Sequence, residues 1–178
     1  MFELKRYSST LVILHWMLAT FILAAIFMGA FVLDEMSNDH PQKILLLQLH
    51  VIVGIGILVF TLLRLYVRFA TPQPAPVASD NKLVEKVSKG LHHLLYLLTI
   101  LTVLAGIALA ISANLPAVLF SHAGALPADF EGFIAHEVHD IFAMLLLFSI
   151  GLHVAAAVYH QFILKDGLLS RMSLRKDL

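Results

Sequence analysis

The chain has 178 residues, 60% of them hydrophobic, and a mean hydropathy of +0.88. Soluble domains of this size are about 45–50% apolar, so the composition reads as that of a membrane protein. Its 12 basic and 12 acidic residues cancel, which gives no electrostatic case for binding nucleic acid, and the absence of cysteine excludes a disulfide framework, thiolate-held zinc, iron–sulfur clusters and covalent c-type haem attachment. Any metal is held by nitrogen or oxygen.

Four apolar stretches, approximately residues 10–33, 44–68, 90–112 and 136–163, are each long enough to cross a bilayer. They predict an all-α, integral membrane four-helix bundle that occupies residues 1–178 as one domain. The first follows a short polar lead and carries only His15 and Thr20 as polar members after residue 10. It is longer than the apolar core of a signal peptide and lacks a small-residue cleavage site, so it reads as a retained helix. A turn-rich connection over 34–43 ends with Pro41 ahead of the second span, which contains Gln48, His50 and Thr61 and runs on through Arg64 and Arg68. Pro72, Pro74 and Pro76 predict an extended loop over 70–81. The segment LVEKVSKG reads as an amphipathic lead into the third span, which opens with His92 and His93. Residues 114–132, with Pro116 and Pro127, form the longest stretch predicted as non-helical, lying partly along the membrane interface.

Lysine and arginine are unevenly shared between the two sides. Lys5, Arg6, Arg64, Arg68, Lys82, Lys86, Lys89, Lys165, Arg171, Arg175 and Lys176 fall on one side, against Lys43 alone on the other. This predicts both termini in the cytoplasm, with 34–43 and 114–132 facing out.

Imidazole is costly to bury in hydrocarbon without a partner, so the histidines within the spans need a reason. His139 and His153 are 14 residues apart. On a helix that puts both on one face, offset by ~40° and separated by ~21 Å along the axis. Gly151, Ala155, Ala156 and Ala157 beside His153 leave room for a flat, wide group, for which a porphyrin is the natural candidate. By depth, His15 pairs with His153 at an inner level and His50 with His139 at an outer one. Two imidazoles per level is the requirement for a six-coordinate b-type haem, and two levels predict two haem b groups. His136, 17 residues before His153, points ~100° away from it and is set aside in favour of His139. Arg64, 14 residues after His50, lies on the His50 face at the inner level, where a guanidinium suits haem propionates. His160, 7 residues past His153, lies ~10 Å closer to the cytoplasm, where a quinone head group can meet it. His40, His122 and His136 read as solvated or interfacial, His92 and His93 as a helix start at the cytoplasmic surface, and Trp16 and Tyr7 as members of the aromatic belt.

These residues carry a family resemblance. RYS with LHW over 6–16, LHVIVGIGILVFTLLRLYVR over 49–68, GLHHLLYLL over 90–98, and HD with GLHVAAAVYH over 139–160 together resemble the bacterial cytochrome b561 family along nearly the whole chain. The resemblance implies axial haem ligands at His15, His50, His139 and His153, a ubiquinone contact at His160, and a multi-pass protein of the bacterial inner membrane. It further implies electron transfer between the outer face and membrane quinone, with superoxide:ubiquinone oxidoreductase as the expected activity. Asp34, Glu35 and Asp39 in the first outer loop lead us to expect superoxide capture below the diffusion limit and faster at higher salt. Two rival readings are an electron conduit or anchor for a soluble dehydrogenase or hydrogenase, and a histidine-lined metal transporter. The latter needs carboxylates inside the spans, near which only Glu137 and Asp140 lie.

Overall fold

The computed structural model of the protein describes residues 6–75 and 82–174. Lys5, Pro76, Arg175 and Lys176, which entered the loop and orientation readings, lie outside the described residues. Every regular element among the described residues is helical. Helix α1 (Ser9–Met28) runs into a wider π-helical turn (Gly29–Leu33), and α2 (Lys43–Ala70) and α3 (Lys82–Ser112) follow. A short α4 (Leu115–Phe120) precedes α5 (Ile134–Tyr159), which ends in a second π-helical turn (His160–Leu164), and a 3-10 turn (Leu168–Met172) comes last. Four helical stretches are long and apolar enough to span a membrane: Ser9–Leu33, Lys43–Ala70, Lys86–Ser112 and Ile134–Leu164. The fold is therefore the all-α, four-span arrangement that the hydropathy pattern predicts.

Local chemistry sets the helix ends. Ser8, in extended conformation, caps α1 by accepting the Leu11 N–H at 3.4 Å. Thr71, also extended, ends α2 directly before Pro72, as the residue preceding proline should. Within the spans, Thr20, Thr99, Thr102 and Ser149 each donate to the carbonyl four residues earlier, so these hydroxyls are satisfied without reaching outside their own helix.

Two elements differ from the sequence reading. Helix α3 is continuous from Lys82, so the segment read as a lead is part of the helix itself. Residues 115–120, read as non-helical, form α4. Pro116 sits in its first turn, where its fixed φ suits a helix start, and Leu115, Val118 and Leu119 share one face and are buried against the bundle end.

Helix α3 packs extensively on α5 and α1 packs on α2, with α2 joining the two pairs through α3, whereas α5 meets α1 and α2 only sparsely. We call the end of the bundle where Tyr7 N–H meets the Arg171 carbonyl the proximal end, and the end closed by α4 the distal end. The distal end has a packed core of Leu33, Leu47, Ala110, Leu115 and Leu119. Gln48 ties α2 to α4 by donating to the Leu119 carbonyl. Lys43 is buried there, its Nζ donating to the carbonyls of Leu33 (2.5 Å) and Met36 (2.6 Å) and so satisfying backbone oxygens where α1 ends. Large apolar side chains such as Phe27, Phe31, Tyr66 and Phe148 face outward, as they do on a lipid-facing surface.

Candidate functional site

Helix α5 carries His139 and His153 on its inward face, and each meets an imidazole from another helix. At the distal level His50 of α2 and His139 have ring centres 6.2 Å apart with planes crossing at 78°. At the proximal level His15 of α1 and His153 are also 6.2 Å apart, with planes at 73°. Two imidazoles on opposite sides of one metal, each bonded at about 2 Å, put their ring centres roughly 6–6.5 Å apart. Both pairs have that separation. Among the described residues no three His, Asp or Glu side chains gather into a chelating group, so the imidazoles are arranged as pairs.

The distal pair is braced by α3. His139 Nδ1–H donates to the Thr102 carbonyl at 2.8 Å, which fixes the ring and leaves Nε2 with a free lone pair. The approach of α3 is close: a Cβ added at Gly106 would lie 3.0 Å from Cε1 and 3.1 Å from Nδ1 of His139. Gly29 of the π-helical turn lies against the other ring, where an added Cβ would meet His50 Cε1 at 3.5 Å. His50 Nδ1 is buried and has no partner among the described residues. Along the same helices an added Cβ at Gly54, four residues past His50, or at Gly151, two before His153, would meet no atom within 4 Å. Gly54 thus shares the His50 face with open space before it, whereas Gly151, ~200° around the helix from His153, faces away from that ring.

The proximal level is more polar. His92 of α3 joins it, with its ring centre 5.3 Å from that of His153 and its Nδ1–H donating to the Ser88 carbonyl at 2.7 Å. The Arg64 guanidinium lies over the Tyr96 ring, 5.4 Å from its centre, within electrostatic reach of His15, His92 and His153. Arg64 Nε, Tyr96 OH and Thr61 Oγ1 are all buried without a partner among the described residues. The sequence reading missed His92 because it began the third span at residue 90. With α3 starting at Lys82, His92 lies nearly three turns into the helix and faces the bundle.

The remaining histidines fall elsewhere. His136 stacks on Phe130 with ring centres 6.0 Å apart and its Nε2 lies 3.6 Å from Asp140, away from both pairs. His40, His93 and His122 are exposed. His160 begins the second π-helical turn, and its Nδ1 is 2.5 Å from Asp166 Oδ2. Burial pushes the Asp166 carboxyl up, but the hydrogen bonds from His160 and the Leu168 N–H, with the nearby charges of His160 and Arg171, outweigh it and hold the carboxyl below its ordinary value. Trp16, read as a belt residue, donates from Nε1 to the Met172 carbonyl at 3.0 Å and ties the 3-10 turn to α1.

A family model described as prokaryotic cytochrome b561 matches residues 6–173. Among individual proteins, the chain is 30% identical to cytochrome b562 of Cereibacter sphaeroides over 93% of this chain and 94% of that one. It is 28% identical to cytochrome b561 homolog 1 of Escherichia coli over 97% and 99% of the two chains. It is 26% identical to a Yersinia pestis protein named probable superoxide oxidase CybB, over 97% and 98%. Because the family match takes in all four spanning helices and both imidazole pairs, the chain belongs to the prokaryotic cytochrome b561 family and is a bacterial membrane haem protein.

Proposed function

We propose that the protein is a single-domain, di-haem b-type cytochrome of the bacterial inner membrane that passes electrons from its outer face to membrane ubiquinone. In this reading the distal level faces outward and the proximal level, with both termini, faces the cytoplasm, which the lysine and arginine asymmetry supports. His50 and His139 would hold one haem b, and His15 and His153 the other. The observation that carries the reading is the pair of matched 6.2 Å ring separations, each joining two helices. Held by these imidazoles, a haem would supply a one-electron couple suited to outer-sphere electron transfer. Thr102 fixes the tautomer of His139 through its carbonyl, and the half-buried Arg64 offers a positive charge and a buried, unpartnered Nε–H to haem propionates. His160, two turns beyond His153, hydrogen-bonds the quinone head group.

The favoured reaction is superoxide:ubiquinone oxidoreduction: two superoxide anions give up one electron each, and ubiquinone takes two electrons and two protons to become ubiquinol. A second reading, an electron conduit for a soluble dehydrogenase or hydrogenase, is favoured by the charge of the distal face. Asp34, Glu35, Asp39, Asp129, Glu131, Glu137 and Asp140 are exposed, while Lys43, the one basic residue of that side, is buried against carbonyls. Such a face repels an anion and attracts a basic protein. Stopped-flow reduction of the purified holoprotein by a superoxide pulse, followed by a water-soluble ubiquinone analogue, separates the two. Superoxide oxidation predicts haem reduction whose rate rises with salt, then reoxidation by quinone. No reduction at any salt concentration moves the function to the conduit.

A further inference from the structure

We propose that Asp166 is a positioning residue for quinone reduction, holding the His160 imidazole so that its Nε2 edge presents a proton to the quinone oxygen. The inference rests on the reading of His160 as the quinone contact and goes beyond it by assigning a role to a residue outside the spans.

The contact is built by the chain around it rather than by a chance meeting of surface charges. Helix α5 widens into its π-helical turn at His160, and Lys165 then adopts a left-handed conformation at φ 52°, unusual for a residue with a side chain. Gly167 follows at φ 72°. With left-handed residues on either side of it, the chain reverses around Asp166 and brings its carboxylate back to the imidazole that begins the turn. Both carboxylate oxygens are used: Oδ2 lies 2.5 Å from His160 Nδ1, and Oδ1 accepts the Leu168 N–H at 3.0 Å. The 3-10 turn that follows is fastened on two sides, by Trp16 Nε1 to the Met172 carbonyl and by Arg171 Nη1 to the Ala75 carbonyl at 2.6 Å. Arg171 lies near enough to Asp166 to add its charge, and Tyr159 packs edge-on against the His160 ring with centres 6.3 Å apart.

A carboxylate on Nδ1 fixes the ring orientation and leaves Nε2 as the working edge, the arrangement used when imidazole serves as an acid or base. Ubiquinone gains two electrons, supplied one at a time from the outer donor, and two protons. For one of those protons the Nε2–H bond breaks as the quinone O–H bond forms, the ring takes a replacement proton from cytoplasmic water, and the second proton reaches the other quinone oxygen from that water. Throughout, the Asp166 carboxylate accepts the Nδ1–H and keeps the ring in place.

The test uses the holoprotein and the rate of haem reoxidation as a function of the concentration of a short-chain ubiquinone analogue. Asp166→Asn keeps an acceptor oxygen for Nδ1–H and removes the charge. It should lower the limiting rate roughly tenfold or more, within the range a positioned acid or base contributes, and leave the half-saturating quinone concentration nearly unchanged. Asp166→Glu should recover much of the rate, and both variants should keep the wild-type haem spectrum. An unchanged limiting rate in Asp166→Asn, with His160→Ala still slow, overturns the role of Asp166 while leaving His160 at the quinone. If His160→Ala reoxidises as fast as wild type, the quinone reading itself fails and takes this inference with it. Equal slowing in Asp166→Asn and Asp166→Glu with an altered haem spectrum reduces Asp166 to a structural brace and also overturns the proposal.

Discussion

The proximal and distal levels share one geometry, two imidazoles from different helices at 6.2 Å, yet their surroundings differ. The distal pair is surrounded mainly by packing: a leucine-rich core, a helix α4 that closes the end, Gly106 against one ring and Gly29 against the other, with His50 Nδ1 as a buried polar atom that lacks a partner among the described residues. The proximal pair lies among polar groups, with a third imidazole, a guanidinium and three buried polar atoms that lack a partner. Buried polar groups without partners are costly, and where they cluster they point to a ligand or to charge that the site must manage. The contrast assigns different work to the two ends. In our reading the distal level holds its imidazoles by packing and the proximal level manages charge and protons.

The strongest test of that comparison removes ligands. In our reading His50→Ala or His139→Ala should cost the distal haem, and His15→Ala or His153→Ala the proximal one, so that a pyridine haemochrome assay gives one haem per chain in place of two. His136→Ala should retain both. Loss of a haem in His136→Ala with both kept in His139→Ala would reverse the choice of helix face.

Next in size is Lys43→Met, which removes the ammonium from the Leu33 and Met36 carbonyls. Losing charge-assisted hydrogen bonds of this kind costs about 1.5–3 kcal/mol. Thermal unfolding in detergent should register the loss, with the distal haem released before the proximal one. A smaller effect is expected from Gly106→Ala, whose new methyl must displace the His139 ring by a few tenths of an ångström. Overpacking of this kind costs roughly 1 kcal/mol. Here the distal haem's electron paramagnetic resonance signal should shift while the proximal signal stays fixed. Equal shifts at both haems would contradict the independence of the two levels.

The smallest effect concerns the acid side of the proximal end. The Asp166 carboxyl is held below its ordinary value, so its contact with His160 adds stability that is complete above the usual carboxylate pKa of about 3.9. That contribution is lost as pH falls through the lowered value. Melting curves of wild type and Asp166→Asn should therefore differ at neutral pH and converge in strong acid. A difference that persists unchanged at the lowest pH would mean that the carboxylate charge is not its source.

The bundle was legible from hydropathy, because a helix that crosses lipid must be long and apolar whatever its neighbours do. The juxtaposition of the histidines was legible too, since a 14-residue spacing fixes a shared helix face before any partner is known. What escaped was information held between helices. Neither the Thr102 carbonyl behind His139 nor the fit of Gly106 against that ring leaves a local pattern, because each depends on how α3 lies on α5. His92 was hidden by a misplaced helix start. Asp166 depended on a reversal built from two left-handed residues, for which the Lys-Asp-Gly run over 165–167 was the only available cue.

The sparse contact of α5 with α1 and α2 bears on how the protein is made. The halves α1 with α2 and α3 with α5 are joined by α2 against α3 and by the shared distal core, whereas α5 meets α1 and α2 only sparsely. In our reading a haem gripped from both halves would strengthen that joining, and its binding free energy would become part of the free energy of assembly. The level of mature protein in the cell should then follow haem supply, because chains inserted ahead of it would lack that added contact.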